Sequence, residues 1–146
     1  MSRRISVLYL PAPQKNLVNP WKNDIITAIG DKHDLKIFDF EKPLAPQFKN
    51  IDLVIDHGGS IGTREMADLV AGKILLWQIV GTGFDHFDLE YTKARGIPVA
   101  NCPGQFSAAS LGESAMMFVL MLAHRYRQAA ADFHAGVFAK CDGAEV

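Results

Sequence analysis

The stretch ILLWQIVGTGFDHFDLEYTKARGIPVAN, from Ile74 to Asn101, carries the clearest structural signal in the chain. It opens with a run of apolar residues, which is typical of a strand covered on both faces in a parallel sheet. Asp88 can cap the amphipathic segment LEYTKARG as a helix, and Gly96 suits the exit of that helix. A second apolar run, IPVAN, follows. This order of strand, helix and strand predicts two parallel strands joined by a crossover helix.

The same alternation extends back to the N-terminus. Further strands are predicted at 5–10, 35–40 and 51–56, with helices between them starting near Asn19 and Thr63. Repeated β-α-β units predict an α/β fold, and we expect a flavodoxin-like three-layer sandwich. Right-handed crossovers leave few topologies, and among them we predict a parallel sheet of about five strands in the order 2-1-3-4-5.

The C-terminal part is predicted to be one long helix over residues 107–136, with Ser110 and Glu113 forming a capping box in SLGE. Residues 115–123 are apolar on every side, a pattern that requires cover all round, whereas one sheet covers one side only. We therefore expect self-association through residues 115–123. The domain boundaries predicted on this basis are 1–106 for the α/β domain, 107–136 for the helix and 137–146 for a linker.

The composition of the 146 residues, 49% hydrophobic and 21% charged, predicts a soluble globular domain. A net charge of -1 gives no electrostatic signature of a nucleic-acid or anionic-membrane partner. The apolar run at 115–123 is about half as long as a membrane span requires. Two distant cysteines and an N-terminus without a recognisable signal peptide favour reduced thiols in a cytoplasmic protein, and no histidine or cysteine pair has metal-ligand spacing.

Residues suited to ligand binding follow several of the predicted strands. His57 and Gly58 follow the third strand, the segment VGTG from Val80 to Gly83 follows the fourth, and Asn101 ends the fifth. Ligands of open α/β sheets bind beyond the carboxyl ends of the strands. Glycine lets backbone N–H groups approach a ligand, and consecutive N–H groups can cradle a carboxylate. The segment VGTG is therefore a predicted carboxylate-binding loop, although glycine is also common in strand-to-helix turns that bind nothing.

Three motifs occur in a characteristic order and spacing. Gly-x-Gly-x-Asp-x-x-Asp begins at Gly81, Arg-Gly-Ile-x-Val-x-Asn-x-Pro-Gly begins at Arg95, and Glu113 opens a hydrophobic helix. Together they make residues 50–137 resemble the D-isomer-specific 2-hydroxyacid dehydrogenases. Two features depart from the family pattern: the gap between the asparagine and the glutamate is one residue longer than usual, and His86 stands where asparagine is frequent.

The resemblance implies a two-domain enzyme with a discontinuous substrate domain and a Rossmann domain between its two parts. Residues 1–106 would be the substrate-binding domain, 107–136 the interdomain helix, and 137–146 a linker towards an NAD-binding domain that this sequence does not contain. The resemblance implies that Val80 and Gly81 hold the substrate carboxylate, and Thr82, Gly58 and His57 are predicted to bind substrate because they lie in the loops at the same edge of the sheet. Asn101 and Ser107 would lie near the cofactor. The catalytic arginine, glutamate and histidine of the family lie downstream, so no catalytic residue is expected in this chain.

The activity implied for the intact enzyme is hydride transfer between NAD or NADP and a 2-hydroxy or 2-keto acid. This chain would hold the acid without a hydride donor, so we expect it to bind no cofactor and to be inactive alone. The alternative is a non-enzymatic flavodoxin-like module that binds a carboxylate or regulates a partner. A phosphate-receiving module is disfavoured, because Pro11 and NCPG stand where paired acids and a lysine would be needed.

Overall fold

A computed structural model describes residues 3–12, 21–57, 64–85 and 87–137, with Trp21 described by its backbone only. The chain divides into two compact units, Met1–Pro103 and Gly104–Val146.

The first unit contains a five-stranded sheet in the order β2-β1-β3-β4-β5, and every neighbouring pair is parallel. This confirms the predicted α/β fold and strand order. The strands are β1 (Ser6–Leu10), β2 (Asp34–Ile37), β3 (Leu53–Asp56), β4 (Leu76–Ile79) and β5 (Val99–Ala100). They are shorter than the apolar runs that predicted them, because the ends of those runs lie in the connecting loops.

The strands are connected by α1 (Trp21–Ile29), α2 (Leu44–Gln47), α3 (Arg64–Val70) and α4 (Leu89–Ala94). Asn19 and Thr63, the predicted helix starts, lie outside the described residues. The exit predicted at Gly96 is confirmed, and Gly72 follows α3 in the same way, since both have a φ of 66°, which glycine adopts without steric cost. The short helix α2 was not predicted, because its four residues lie in a proline-containing loop.

Side chains of β1 alternate between the two faces of the sheet and enter two separate cores. Leu8 and Leu10 pack in the larger core, whose centre is the fully buried Trp77. Val7 and Tyr9 pack on the opposite face, where α1 covers them with partly buried isoleucines. Helices therefore flank the sheet on both faces, as a doubly covered parallel sheet requires.

Asp88 caps α4 as predicted. Its Oδ1 accepts the backbone N–H of Tyr91 at 3.0 Å, and its Oδ2 accepts the Arg64 guanidinium at 2.8 Å. The Tyr91 amide and then Arg64 lower the pKa of the Asp88 carboxyl from its ordinary value of 3.8, against the smaller opposing effect of burial. The carboxylate thereby occupies the amino end of α4, directly after the loop of the predicted site.

Asp88→Asn is expected to reduce stability above pH 3.8 and to make less difference as the pH falls. A carboxyl whose pKa is lowered by folding stabilises the folded state above its unfolded pKa, and this contribution is lost as the pH falls through the folded pKa. Asparagine keeps the capping acceptor but not the charge. Urea unfolding at neutral and acid pH measures the effect. Glu90→Gln on the same helix is the control, and an equal pH dependence in both variants would contradict the assignment.

The second unit contains two helices where one was predicted. After a 3₁₀ turn, Gly104–Phe106, come α5 (Ala108–Ala123) and α6 (Tyr126–His134). The expectation of one helix over 107–136 was wrong, because Arg125 has a φ of 47° and ends the helical path. Within the described residues, no helix is both long and apolar enough to cross a membrane.

The capping box predicted at Ser110 and Glu113 was also wrong. The helix α5 begins at Ala108, so both residues lie inside it. Ser107 is the N-cap residue, but its hydroxyl makes no capping bond and instead donates to the carbonyl of Gly104 at 3.2 Å. The start of α5 is thus set by the preceding turn and not by the motif that suggested it.

No residue of α5 is buried. Its exposed apolar side chains are Leu111, Met116, Met117, Phe118, Val119, Leu120 and Leu122. They cover all faces of the helix, as the sequence pattern predicts. A surface of this kind is suited to association with another apolar surface.

Candidate functional site

The strand register places the ends of β1, β3 and β4 at one edge of the sheet. Leu10 lies opposite Asp56, and Asp56 lies opposite Ile79. The residues that follow, among them His57 and Val80, therefore begin neighbouring loops at the carboxyl edge. This is the edge at which parallel sheets bind ligands.

The amide of Val80 is already engaged. Its N–H donates to the carbonyl of Asp56 at 2.6 Å and so extends the β3–β4 ladder beyond the assigned strands. Val80 was expected to offer this N–H to a substrate carboxylate. The structure corrects that expectation, because an N–H group that already donates a hydrogen bond between two strands is not available to a ligand.

The three amides that follow are differently placed. Within the described part of the chain, the N–H groups of Gly81, Thr82 and Gly83 donate no hydrogen bond. No atom lies within 4 Å of the position that a Cβ would take on Gly81, so the backbone there is open on that side. Successive N–H groups that have no acceptor among the described residues are suited to binding an anion.

The carbonyl groups of the same loop are held by the exit of β5. The Gly81 carbonyl accepts the N–H of Cys102 at 2.9 Å, and the Thr82 carbonyl accepts Nδ2 of Asn101 at 2.8 Å. The carbonyls of Gly81 and Thr82 thus bond to the residues after β5, while the N–H groups of the loop have no acceptor among the described residues. Asn101 was predicted to lie near a cofactor. The observed bond gives it a local function, which is to fix the conformation of the loop.

His57 is held by two contacts at the same edge. Its backbone N–H donates to the Leu10 carbonyl at 3.1 Å, and its Nδ1 lies 3.2 Å from the hydroxyl oxygen of Tyr9. Partial burial lowers the pKa of the imidazole from its ordinary value of 6.5, and the carboxylate of Asp56 opposes this effect. The imidazole is therefore mainly neutral at pH 7.

Asp56 is a fully buried acid directly beside His57 in the chain. Its Oδ2 accepts the indole N–H of Trp77 at 3.2 Å. A buried carboxylate needs such donors, because its transfer from water is otherwise costly. The Asp56 carboxylate, next to His57 in the chain, is thus hydrogen-bonded to Trp77 in the larger core.

The family model for "D-isomer specific 2-hydroxyacid dehydrogenase, catalytic domain" matches residues 16–115. The chain belongs to this family. The match extends from before α1 into α5 and includes the loop at Gly81–Gly83. It confirms the resemblance that the sequence motifs indicated.

Curated members of the family are similar to this chain over part of their length. Glycerate dehydrogenase of Hyphomicrobium methylovorum is 27% identical over 125 residues, which cover 86% of this chain and 37% of that protein. Erythronate-4-phosphate dehydrogenase of Shewanella amazonensis is 52% identical over 46 residues, which cover 32% of this chain and 12% of that protein. The chain thus matches only 37% and 12% of the length of these two relatives.

Solved structures of 2-hydroxyacid dehydrogenases have the same fold. D-lactate dehydrogenase from Aquifex aeolicus, complexed with NAD and lactic acid, superimposes with a TM-score of 0.74 at 25% identity, covering 95% of this chain and 41% of that one. NAD-dependent formate dehydrogenase from Staphylococcus aureus in complex with NAD gives a TM-score of 0.66 at 20% identity, with coverages of 92% and 43%. The second likeness supports the fold alone.

The site residues predicted for this chain are only partly brought together. His57, Gly81, Thr82 and Asn101 lie at the carboxyl edge of the sheet in the first unit. Gly58 lies outside the described residues. Ser107 belongs to the second unit, where its hydroxyl is bonded to the turn before α5.

Sequence reasoning missed three residues at this edge: Tyr9, Asp56 and Trp77. Asp56 left a detectable signal, since an acid that ends an otherwise apolar strand is unusual. Tyr9 and Trp77 left none, because each lies in an apolar run where an aromatic side chain needs no functional explanation. Their polar atoms bond to His57 and Asp56, which lie 48 and 21 residues away in the sequence, and only the fold brings these partners together.

Proposed function

We propose that this chain is the substrate-binding part of an NAD- or NADP-dependent D-2-hydroxyacid dehydrogenase. The carboxylate of a 2-hydroxy or 2-keto acid would be held by the N–H groups of Gly81, Thr82 and Gly83. The observation that supports this most directly is that these three successive amides have no acceptor among the described residues, while the carbonyls of Gly81 and Thr82 are bonded to Cys102 and Asn101. A cytoplasmic location remains part of the proposal.

The chemistry of the loop favours an organic acid over other ligands. Hydrogen bonds from N–H groups to a charged acceptor contribute about 1.5–3 kcal/mol each, roughly twice the contribution of neutral pairs. His57 begins the neighbouring loop and is the side chain we assign to a second substrate oxygen. Backbone donors for a carboxylate beside a side chain for a second oxygen suit an acid with a hydroxyl or keto group next to its carboxylate.

The described residues do not fit the dinucleotide of the family. A pyrophosphate requires a glycine-rich loop that leads into a helix whose amino end is open to it. The loop at Gly81–Gly83 leads into α4, but the carboxylate of Asp88 occupies the amino end of that helix and would repel a phosphate. We therefore assign no step of hydride transfer to these residues and expect this chain to bind the acid without reducing it.

A non-enzymatic carboxylate-binding module is the second candidate. The same observations favour it: an anion-binding loop is present, and the described residues provide no phosphate cradle. The two candidates differ in what the bound acid undergoes in the complete protein. Binding of 2-keto acids without turnover, in a complete protein supplied with NADH, would favour the module.

Thr82→Pro is expected to weaken pyruvate and D-lactate binding at least tenfold. Proline removes the central N–H of the loop, and one charge-assisted hydrogen bond corresponds to about 1.5–3 kcal/mol. Thr82 does not have a positive φ, so the substitution does not place proline in the left-handed region. NMR titration of the ¹⁵N-labelled chain measures the affinity and shows which amides respond.

Thr82→Ala is the matched control, because it removes the side-chain hydroxyl but keeps the amide. We expect its affinity to stay within about twofold of the original, since the hydroxyl is not the proposed ligand. Equal loss in both variants would assign the effect to the side chain. Shifts confined to residues away from Gly81–Gly83 would contradict the proposed site.

A further inference from the structure

We propose that Tyr9 is a positioning residue for His57, with its hydroxyl donating to Nδ1 so that the imidazole is held as the neutral tautomer protonated on Nε2. His57 would then serve the carboxylate site as a neutral hydrogen-bond donor and not as a cation. The contact with an acid rests on the proposed function, whereas the relation between Tyr9 and His57 does not.

The geometry singles out the hydroxyl of Tyr9. The side chain is fully buried, and its core neighbours on this face, Val7 and Ile55, are apolar. A phenylalanine ring would fill the same apolar space, so the hydroxyl is the one atom of this side chain that requires a hydrogen-bond partner. It lies 3.2 Å from Nδ1 of His57, with the two rings edge to face at 76°.

The position of His57 is fixed from two directions. The backbone N–H of His57 donates to Leu10, which lies next to Tyr9 on β1. The imidazole then meets the Tyr9 hydroxyl across the β1–β3 pair. A side chain held at its backbone and at one ring nitrogen has little freedom left, which is what precise placement of a ligand-binding group requires.

A neutral His57 allows the proposed direction of the hydrogen bond, whereas a cationic one would exclude it. A neutral imidazole has one nitrogen that donates and one that accepts, whereas an imidazolium can only donate. Burial disfavours the charged form of His57, and the carboxylate of Asp56, which opposes this, is itself bonded to the Trp77 indole. The Tyr9 hydroxyl contacts this side chain, and the Asp56 carboxylate acts on it electrostatically. A tyrosine hydroxyl that donates to Nδ1 stabilises the neutral form further.

The two directions of donation predict opposite results for Tyr9→Phe. If the hydroxyl donates to Nδ1, it stabilises neutral His57, and its removal raises the pKa of the imidazole towards 6.5. If Nδ1 donates to the hydroxyl, removal lowers the pKa. We expect the rise, measured by NMR titration of the His57 ring signals in the unliganded 146-residue chain.

Tyr91→Phe is the matched control, since it removes a tyrosine hydroxyl that is bonded to Asp68 on a different part of the first unit. It should leave the titration of His57 unchanged. The imidazole nitrogen shifts of the unmodified chain provide a test that needs no variant, and they should show the proton on Nε2. A proton on Nδ1, or a pKa that falls or stays constant in Tyr9→Phe, would overturn the inference.

A titration with D-lactate separates this inference from the proposed function. Tyr9→Phe should bind D-lactate roughly three- to tenfold more weakly, because one donor of the site is no longer fixed. If neither protein binds D-lactate but the tautomer and the pKa change are as expected, the proposed function fails and the positioning of His57 stands. Unchanged affinity in Tyr9→Phe would exclude a contribution of this pair to the acid site.

Discussion

Trp77→Ala is expected to lower the free energy of unfolding by about 3–5 kcal/mol, the range for deleting a large buried aromatic side chain. Trp77 is fully buried on β4 and contacts Phe48 and Phe87, with ring centroids 6.3 and 5.4 Å away. The substitution would leave a cavity between the sheet and the helices that cover it. Urea unfolding followed by circular dichroism measures the loss.

Leu75→Ala, two residues earlier, is the control for this prediction. Leu75 is 61% exposed, so truncating it should change stability by about 0.5 kcal/mol or less. Trp77→Phe adds a second comparison, since it keeps most of the apolar volume but removes the N–H that Asp56 accepts. We expect an intermediate loss, because a buried carboxylate deprived of a donor costs about 1–3 kcal/mol. Equal stability of all three variants would contradict the central position assigned to Trp77.

The sheet was predictable because its signals are local and repeated. Each strand is an apolar run, and Asp88, Gly72 and Gly96 mark helix ends through chemistry that depends on neighbouring residues only. The helix break at Arg125 was not predictable in the same way. Arginine is a good helix former, and a left-handed conformation at such a residue leaves no trace in the sequence.

The position of the candidate loop was predictable from the sequence. The hydrogen-bond partners of its individual N–H and carbonyl groups were not. The glycines indicated a close approach of backbone and ligand, and the strand order placed them at the carboxyl edge of the sheet. Which amides remain available depends on the partners of each one. The Val80 N–H donates to the Asp56 carbonyl, and the Thr82 carbonyl accepts the Asn101 side chain. In both pairs the partners are distant in sequence. Contacts of this kind follow from register, which a sequence pattern alone does not specify.

The second large effect concerns α5, and we expect the chain to self-associate through it at micromolar concentration. Phe118 and Leu122 lie one turn apart on this helix and are 58% and 80% exposed. Burying such a side chain contributes about 1.5–3 kcal/mol. Phe118→Gln combined with Leu122→Gln should therefore weaken association more than about a hundredfold, which sedimentation velocity over a range of concentrations measures.

Ser110→Gln combined with Ser114→Gln is the matched control for the α5 variant. It introduces the same residues at the same spacing on the same helix, but at positions that are already polar. If association depends on apolar burial, the control should associate as the unmodified chain does. Equal weakening in both double variants would point to a general effect on the helix, and a monomeric unmodified chain at about 100 μM would contradict the prediction. The physical basis is that a helix apolar on every face has no orientation in which water contacts only polar side chains, so association is the available way to remove that surface from water.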